Sequence, residues 1–299
     1  MEELKTFRDI PSDNLVTGGH GLCSGCGPSI GLRLAFLALG KKTILLSSTG
    51  CLSLMPTFPF TQFKIPWMLL AIENGAASAI GVKSALKALK RDKDTTILVY
   101  AGDGATYDIG FQSLSQLFER DDKVVYVCYN NQNFANTGHQ MTTATPKKAI
   151  TTTTPAGNPF WRKSMTKIAA AHGIKYCATA TVGFELDFMN KLRKSQEVDG
   201  ATFIDLLAPC QPGWGHDPSL TIKLSKLAVE TGAWPLYEVT NGKFRLNHNP
   251  EKLTPVREYL ALQDRFKHLK ISDIEMIQQW VNDEWKHLSE GDFWRAKEY

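Results

Sequence analysis

The chain has 299 residues, 43% of them hydrophobic, which is enough to bury one large core or two modest ones and too much for a disordered tail. Its 34 basic and 30 acidic residues leave a formal net charge of +4 without a long single-sign run, so neither nucleic acid nor an anionic membrane is expected as a partner. No apolar run reaches the roughly 18 to 20 residues of a membrane span and the opening MEELKTFRDIPSDN lacks a signal-peptide core, so a cytoplasmic protein with its six cysteines reduced is expected.

In chain order, a Cys23-Ser-Gly-Cys26-Gly segment opens before a helix expected over 29–39, and a strand over 43–48 (TILLSS) runs into Thr49-Gly50-Cys51. A strand over 68–72 leads to Glu73-Asn74 and a helix over 76–88; a strand over 95–101 (TTILVYA) leads to Gly102-Asp103-Gly104 and a helix over 110–118. A strand over 124–129 (VVYVCY) ends at Asn130-Asn131, and residues 136–159, rich in Thr, Pro and Gly, are a long loop of the kind that usually carries function. Helices over 164–172 and 184–195 alternate with strands over 176–182 and 201–208, the last ending near Cys210. This alternation predicts an α/β fold, a mostly parallel sheet with helices on both faces, over residues 1–214. Residues 215–299, with a helix over 219–230, a hairpin at LYEVTNGKFRL turning on Asn241-Gly242, and a charged helical end, are expected as a C-terminal extension that docks other subunits. Four of the unusual motifs, at Cys51, Gly102-Asp103-Gly104, Asn130-Asn131 and Cys210, follow strand carboxyl ends, where open α/β sheets hold their ligands.

Gly102-Asp103-Gly104-Ala105 sets a carboxylate between glycines that let the backbone turn and approach a phosphate. Asp103 precedes Asn131 by one helix and one strand, so both side chains are expected at neighbouring strand ends, where they share one ion with the carbonyl of Asn133. A carboxylate, an amide oxygen and a carbonyl form a hard oxygen set suited to Mg²⁺ on a diphosphate. Either motif alone is equally an ordinary turn.

The pair Cys23 and Cys26 has three chemical readings: a zinc knuckle, a redox disulfide or half an iron–sulfur site. Cys51 and Cys210 lie on the same sheet edge as the diphosphate motif, and four thiolates there hold either Zn²⁺ or a [4Fe–4S] cluster; the neighbouring cofactor favours an electron carrier. Cys128 and Cys177 fall inside apolar strands and read as buried small hydrophobes. In Asn133-Phe-Ala-Asn136-Thr137-Gly138-His139-Gln140 the Asn136 amide is suited to stabilising developing charge on a substrate without titrating. His139 reads as a hydrogen-bonding loop residue rather than a base, His20 as a structural residue beside the cysteine pair, and Glu73 as a wall of the pocket.

The GDG and NN motifs resemble those of thiamine-diphosphate enzymes. With the cysteine spacing and GHGLCSGCG, STGCL, PFTQFKIPW, IENGAASAIGV, AGDGATYDIG, NNQNFANTGHQMTTATP, PLYEVTNGKFRL and VREYLALQDRFKHL, nearly the whole chain resembles the β subunit of pyruvate:ferredoxin oxidoreductases. The resemblance implies a thiamine-diphosphate-binding fold, with thiamine diphosphate held around Thr49, Gly50, Cys51, Gly102, Asp103, Gly104, Ala105, Asn131, Asn136 and Thr137. It further implies Mg²⁺ on Asp103, Asn131 and Asn133, and one [4Fe–4S] cluster on Cys23, Cys26, Cys51 and Cys210. It places Asn136 in the active site and Thr137 on the diphosphate. The implied activity is oxidative decarboxylation of a 2-oxoacid, with electrons passing through the cluster to ferredoxin and the acyl group to coenzyme A. Implied partners are an α subunit carrying the pyrimidine-binding domain and the glutamate that activates thiamine, a γ subunit, a ferredoxin-like δ subunit and external ferredoxin. Pro28 departs from the resemblance: some members carry Glu there, whose side chain makes a thiamine contact that Pro28 puts in question.

Pyruvate is the expected substrate, on the PFTQFKIPW and RFKHL segments; 2-oxoisovalerate, aryl glyoxylates and oxalate are the alternatives. Two rival readings are a non-redox thiamine decarboxylase or synthase, which leaves four cysteines idle, and a zinc-stabilised non-catalytic subunit.

Overall fold

In the computed structural model, which describes residues 3–56 and 59–294, the apolar runs form strands β1 (Thr43–Ser48), β2 (Trp67–Leu70), β3 (Thr96–Gly102), β4 (Val124–Asn130), β5 (Tyr176–Thr181) and β6 (Ala201–Leu207). They pair in parallel in the order β2-β1-β3-β4-β6-β5. The hairpin β7 (Tyr237–Thr240) and β8 (Lys243–Leu246) continues the same sheet beside β5, antiparallel to it. Its turn places Asn241 at φ 49° and Gly242 at φ 76°, the left-handed pair that matches strand twist.

Period-two alternation divides each central strand between two cores. Leu46, Ile97, Val99, Tyr126, Cys128 and Phe203 face one side, which α2 (Gly75–Ala88), α3 (Phe111–Arg120) and α4 (Met165–Ala171) cover. Leu45, Leu98, Tyr100, Val127 and Leu206 face the other, covered by α1 (Gly27–Leu39) and α5 (Glu185–Glu197). Helices on both faces of a mostly parallel sheet are therefore the observed architecture.

The residues after Trp214 are continuous with this body. Val239 of β7 and Leu288 of α9 (Ile271–Ser289) share the first core, while α7 (Thr221–Glu230), α8 (Val256–Leu260) and α9 enclose a third with Trp214, Leu207 and Cys210. Two local differences from the expected elements bear on the site. The helix expected from 110 is preceded by a π-helical turn, Gly104–Asp108, of the type that recurs at functional sites. The strand expected over 68–72 ends at Leu70, with Met68 and Leu69 exposed, because β2 is an edge strand whose outer face lacks a covering helix among the described residues.

Candidate active site

Strands β1, β3, β4 and β6 lie side by side, so Cys51, Asp103, Asn131 and Cys210 follow the carboxyl ends of four neighbouring strands. Beside them opens a cleft. Thr49, Gly50, Cys51, Gly102, Gly104, Ala105, Asn131, Asn133, Asn136 and Thr137 all line it. Asp103 lies fully buried beneath.

Glycine is required where backbone and rings meet most closely. A Cβ on Gly104 would lie 2.1 Å from the Phe134 ring, and one on Gly50 would lie 2.8 Å from the Tyr129 hydroxyl. Gly50 lets the β1 end approach β4, and Gly104 lets the β3 end approach the loop that follows β4.

The oxygen set is preassembled. Asp103 Oδ1 accepts the Asn131 backbone N–H at 3.2 Å and Oδ2 accepts the Thr142 hydroxyl at 2.5 Å. The Asn131 side-chain amide lies 2.8 Å from Asp103 Oδ1 and 2.7 Å from the Asn133 carbonyl oxygen. With its nitrogen turned to them, the amide donates to both; with its oxygen turned to them, three oxygens converge in a set that suits a cation. Burial lifts the Asp103 carboxyl to about 7, against the lowering effect of the Thr142 hydrogen bond. A bound dication reverses that balance. The donor set therefore fits a magnesium diphosphate.

The turn carrying Asn131 and Asn133 is held from behind. Gln132 between them has φ 64°, a left-handed backbone that costs a residue with a side chain about 1–2 kcal/mol. Its carbonyl accepts the Thr145 hydroxyl at 2.7 Å, and its side-chain oxygen accepts Arg265 Nη2 at 2.7 Å. Trp214 Nε1 donates to the Asn131 carbonyl at 2.8 Å.

The cysteine segments are tied together through backbone hydrogen bonds. Gly27 N–H donates to the Pro209 carbonyl at 3.1 Å, joining the Cys26 segment to the Cys210 segment, and Gly21 N–H donates to the Leu54 carbonyl at 3.2 Å, joining the approach to Cys23 with the turn that begins at Cys51. Burial pushes the Cys51 thiol up to about 12, with Cys210, Cys26, Cys23 and Asp103 adding to the rise. Cys210 is likewise pushed up to about 12 by burial, with Cys26 and Cys23 raising it and the Gly213 N–H and Asn133 amide lowering it. Burial also raises Cys26, with Cys23 contributing. Cys51 and Cys210 are thus each within electrostatic reach of Cys26 and Cys23. Among the described residues, no three or more His, Cys, Asp or Glu side chains are arranged to hold a single metal ion. Cys128 and Cys177 are fully buried in β4 and β5.

Asn136 and Thr137 are exposed at the mouth of the cleft, the Thr137 hydroxyl donating to Gln140 Oε1 at 2.7 Å. His139 Nδ1 lies 3.3 Å from Asn133 Oδ1, and burial lowers its pKa. His20 Nδ1 accepts the Leu22 N–H at 3.4 Å, and the Glu73 carbonyl accepts the Ser113 hydroxyl at 2.9 Å. The Pro28 carbonyl accepts the Tyr100 hydroxyl at 2.8 Å.

Residues 48–206 match the thiamine pyrophosphate enzyme C-terminal TPP-binding domain. Pyruvate synthase subunit PorB of Methanocaldococcus jannaschii is 45% identical over 291 residues, covering 93% of this chain and 98% of that protein. The chain belongs to the 2-oxoacid:ferredoxin oxidoreductase family. Ketoisovalerate oxidoreductase subunit VorB of Pyrococcus abyssi is 39% identical over 299 residues, covering 96% of each. The fold of a 2-oxoglutarate:ferredoxin oxidoreductase from Magnetococcus marinus, solved with 2-oxoglutarate, coenzyme A and succinyl-CoA bound, superposes with a TM-score of 0.60 at 19% identity, over 91% of this chain and 97% of that one.

In this oxidoreductase, sequence reasoning passed over Thr142, Gln132, Trp214 and Arg265. Thr142 sits in the loop already singled out, and Gln132 lies between two named ligands; both carried a signal in their position. Trp214 and Arg265 carried none beyond lying in or near family-like segments, because their contacts span 83 and 133 residues of chain.

Proposed function

We propose that this chain is the thiamine-diphosphate-binding β subunit of a complex that decarboxylates pyruvate oxidatively, delivering the acyl group to coenzyme A and electrons to ferredoxin through a [4Fe–4S] cluster. The supporting observation is that the cleft bearing the Asp103, Asn131 and Asn133 oxygen set has Cys51 in its own wall. A diphosphate bound there and a cluster on Cys23, Cys26, Cys51 and Cys210 would share one rim. A cubane spreads four thiolates more widely than a single ion does.

When bound, thiamine diphosphate supplies the electron sink for decarboxylation. The chain's own residues do the positioning. Asp103, Asn131 and the Asn133 carbonyl would hold Mg²⁺ and through it the diphosphate; Thr49, Gly50, Gly102, Gly104, Ala105 and Thr137 shape the cradle. Asn136, at the mouth, orients the substrate oxygen by hydrogen bonding.

The open cleft and the exposed Phe60, Met68 and Leu69 on the adjoining sheet edge support a partner subunit that covers them, the α subunit with the pyrimidine-binding domain. A γ subunit and a ferredoxin-like δ subunit complete the proposed assembly. No helix among the described residues is long and apolar enough to cross a membrane. Pyruvate is favoured over 2-oxoisovalerate by the identity of 45% to a PorB against 39% to a VorB.

Analysis of iron, acid-labile sulfide, zinc and thiamine diphosphate in the anaerobically purified complex, and in this chain after separation from its partner subunits, tests the reading. About four irons in this chain support it; zinc supports a non-catalytic subunit, and neither metal supports a non-redox decarboxylase. A panel of 2-oxoacids with a viologen acceptor then identifies the substrate.

A further inference from the structure

Arg265 is a cation that the proposed reaction leaves unused. It is 5% exposed, yet its side-chain partners are ordinarily neutral groups: Gln132 Oε1 at 2.7 Å, Gln263 Oε1 at 3.0 Å and the Tyr259 side chain. Its guanidinium lies 3.9 Å from the centroid of the Trp214 ring and 5.0 Å from that of Phe266. No ion pair among the described residues involves it. Burial brings its pKa down to about 10, so it stays charged at neutral pH, and Cys210 and Asp103 are among the groups that favour the charge. A buried cation without a counter-ion is costly. A negative charge held close by would offset that cost.

The surroundings indicate where that charge belongs. Trp214 closes the short helix α6 (Gln211–Trp214) that starts directly after Cys210, and its backbone N–H donates to the Cys210 carbonyl at 2.8 Å. The same indole holds the Asn131 carbonyl, and Arg265 itself holds Gln132. The segment carrying Arg265 is docked by the Asp264 N–H on the Gly215 carbonyl at 3.0 Å. The guanidinium thus sits behind both the Cys210 turn and the metal-binding turn, on the protein side of the rim.

We propose that Arg265 is a fixed countercharge for the thiolate-bound cluster at this rim, stabilising the extra negative charge when the cluster accepts an electron. This rests on the cluster reading above. Arg265 is a positioning residue, acting through space and through Trp214 and Gln132.

The test is a redox titration of the complex, following the spectrum of this chain's cluster in wild type, Arg265→Gln and Arg265→Lys. Loss of the charge in Arg265→Gln is expected to disfavour one-electron reduction about tenfold, a shift of about 59 mV to more negative potential. Arg265→Lys keeps the charge and is expected to stay near wild type, whereas a purely structural role would move both variants alike. Should Arg265→Gln fail to accumulate, Gln132→Glu places a carboxylate against the guanidinium and is expected to give the same downward shift. Iron in the wild type with an unchanged potential in the charge-removing variants overturns the proposal alone; absence of iron in the wild type overturns the cluster reading and the proposal with it.

Discussion

Thr142 donates its hydroxyl to Asp103 Oδ2 across 2.5 Å, joining the long loop to the carboxyl end of β3. Both residues are buried, so the bond is shielded from water and ties the long loop to the carboxylate beneath the cleft.

Replacing Thr142 with valine keeps the shape and removes the donor. Hydrogen bonds to charged groups contribute about 1.5–3 kcal/mol, so thiamine diphosphate binding in the presence of Mg²⁺ is expected to weaken roughly tenfold or more, a change worth at least about 1.4 kcal/mol. Isothermal titration calorimetry would read this directly; unchanged affinity would mean that the Asp103 carboxylate is oriented without the loop.

Gly104→Ala places a methyl 2.1 Å from the Phe134 ring. Overpacking of this kind costs about 1–3 kcal/mol, visible as a lower thermal midpoint and weaker cofactor binding. The double variant Gly104→Ala with Phe134→Ala should recover part of the cofactor affinity, since the ring is the obstacle. Equal cofactor affinity in the double and single variants would contradict that steric account.

Asn136 is exposed and its backbone lies in a loop, so Asn136→Ala should leave the unfolding midpoint within experimental scatter. If its amide stabilises charge that develops on the substrate, kcat should drop by roughly 10²–10³ with cofactor affinity preserved. A loss confined to KM would reassign Asn136 to ground-state binding.

Asp205 supplies the pH dependence. It is fully buried in β6, accepts the Tyr107 hydroxyl and, at 3.1 Å, the Asn130 amide, and burial raises its pKa to about 6. A carboxyl raised in the folded state favours folding most below its unfolded value, about 3.9. That contribution disappears as pH rises through about 6, by an amount on the order of 3 kcal/mol. Urea unfolding between pH 4 and 7 should show wild-type stability falling across that window and a flatter profile for Asp205→Asn. Parallel profiles for the two proteins would refute the assignment to Asp205.

Most of the fold was legible because its signals are local. The run VVYVCY has one reading in a βα alternation, and its observed strand, Val124–Asn130, differs by one residue. The hairpin was announced by Asn241-Gly242 alone, since few residue pairs tolerate two consecutive positive φ angles. The π-helical turn at Gly104–Asp108 was not legible: it depends on the close approach of Gly110 to the Ala105 carbonyl, where a Cβ would lie 2.0 Å away.

By itself, then, the sequence determined the strand and helix order, the edge on which Cys51, Asp103, Asn131 and Cys210 fall, and the oxygen-bearing side chains gathered there, all of which follow from residue type and short spacing. Only the tertiary structure decided that β7 and β8 extend the main sheet, that Thr142 grips Asp103, and that Trp214 and Arg265 support the turn that carries Asn131 and Asn133. Those contacts join residues tens to more than a hundred positions apart. Hydrophobic periodicity says which face of a segment is buried, but the partner waiting there depends on how the whole chain has collapsed around it.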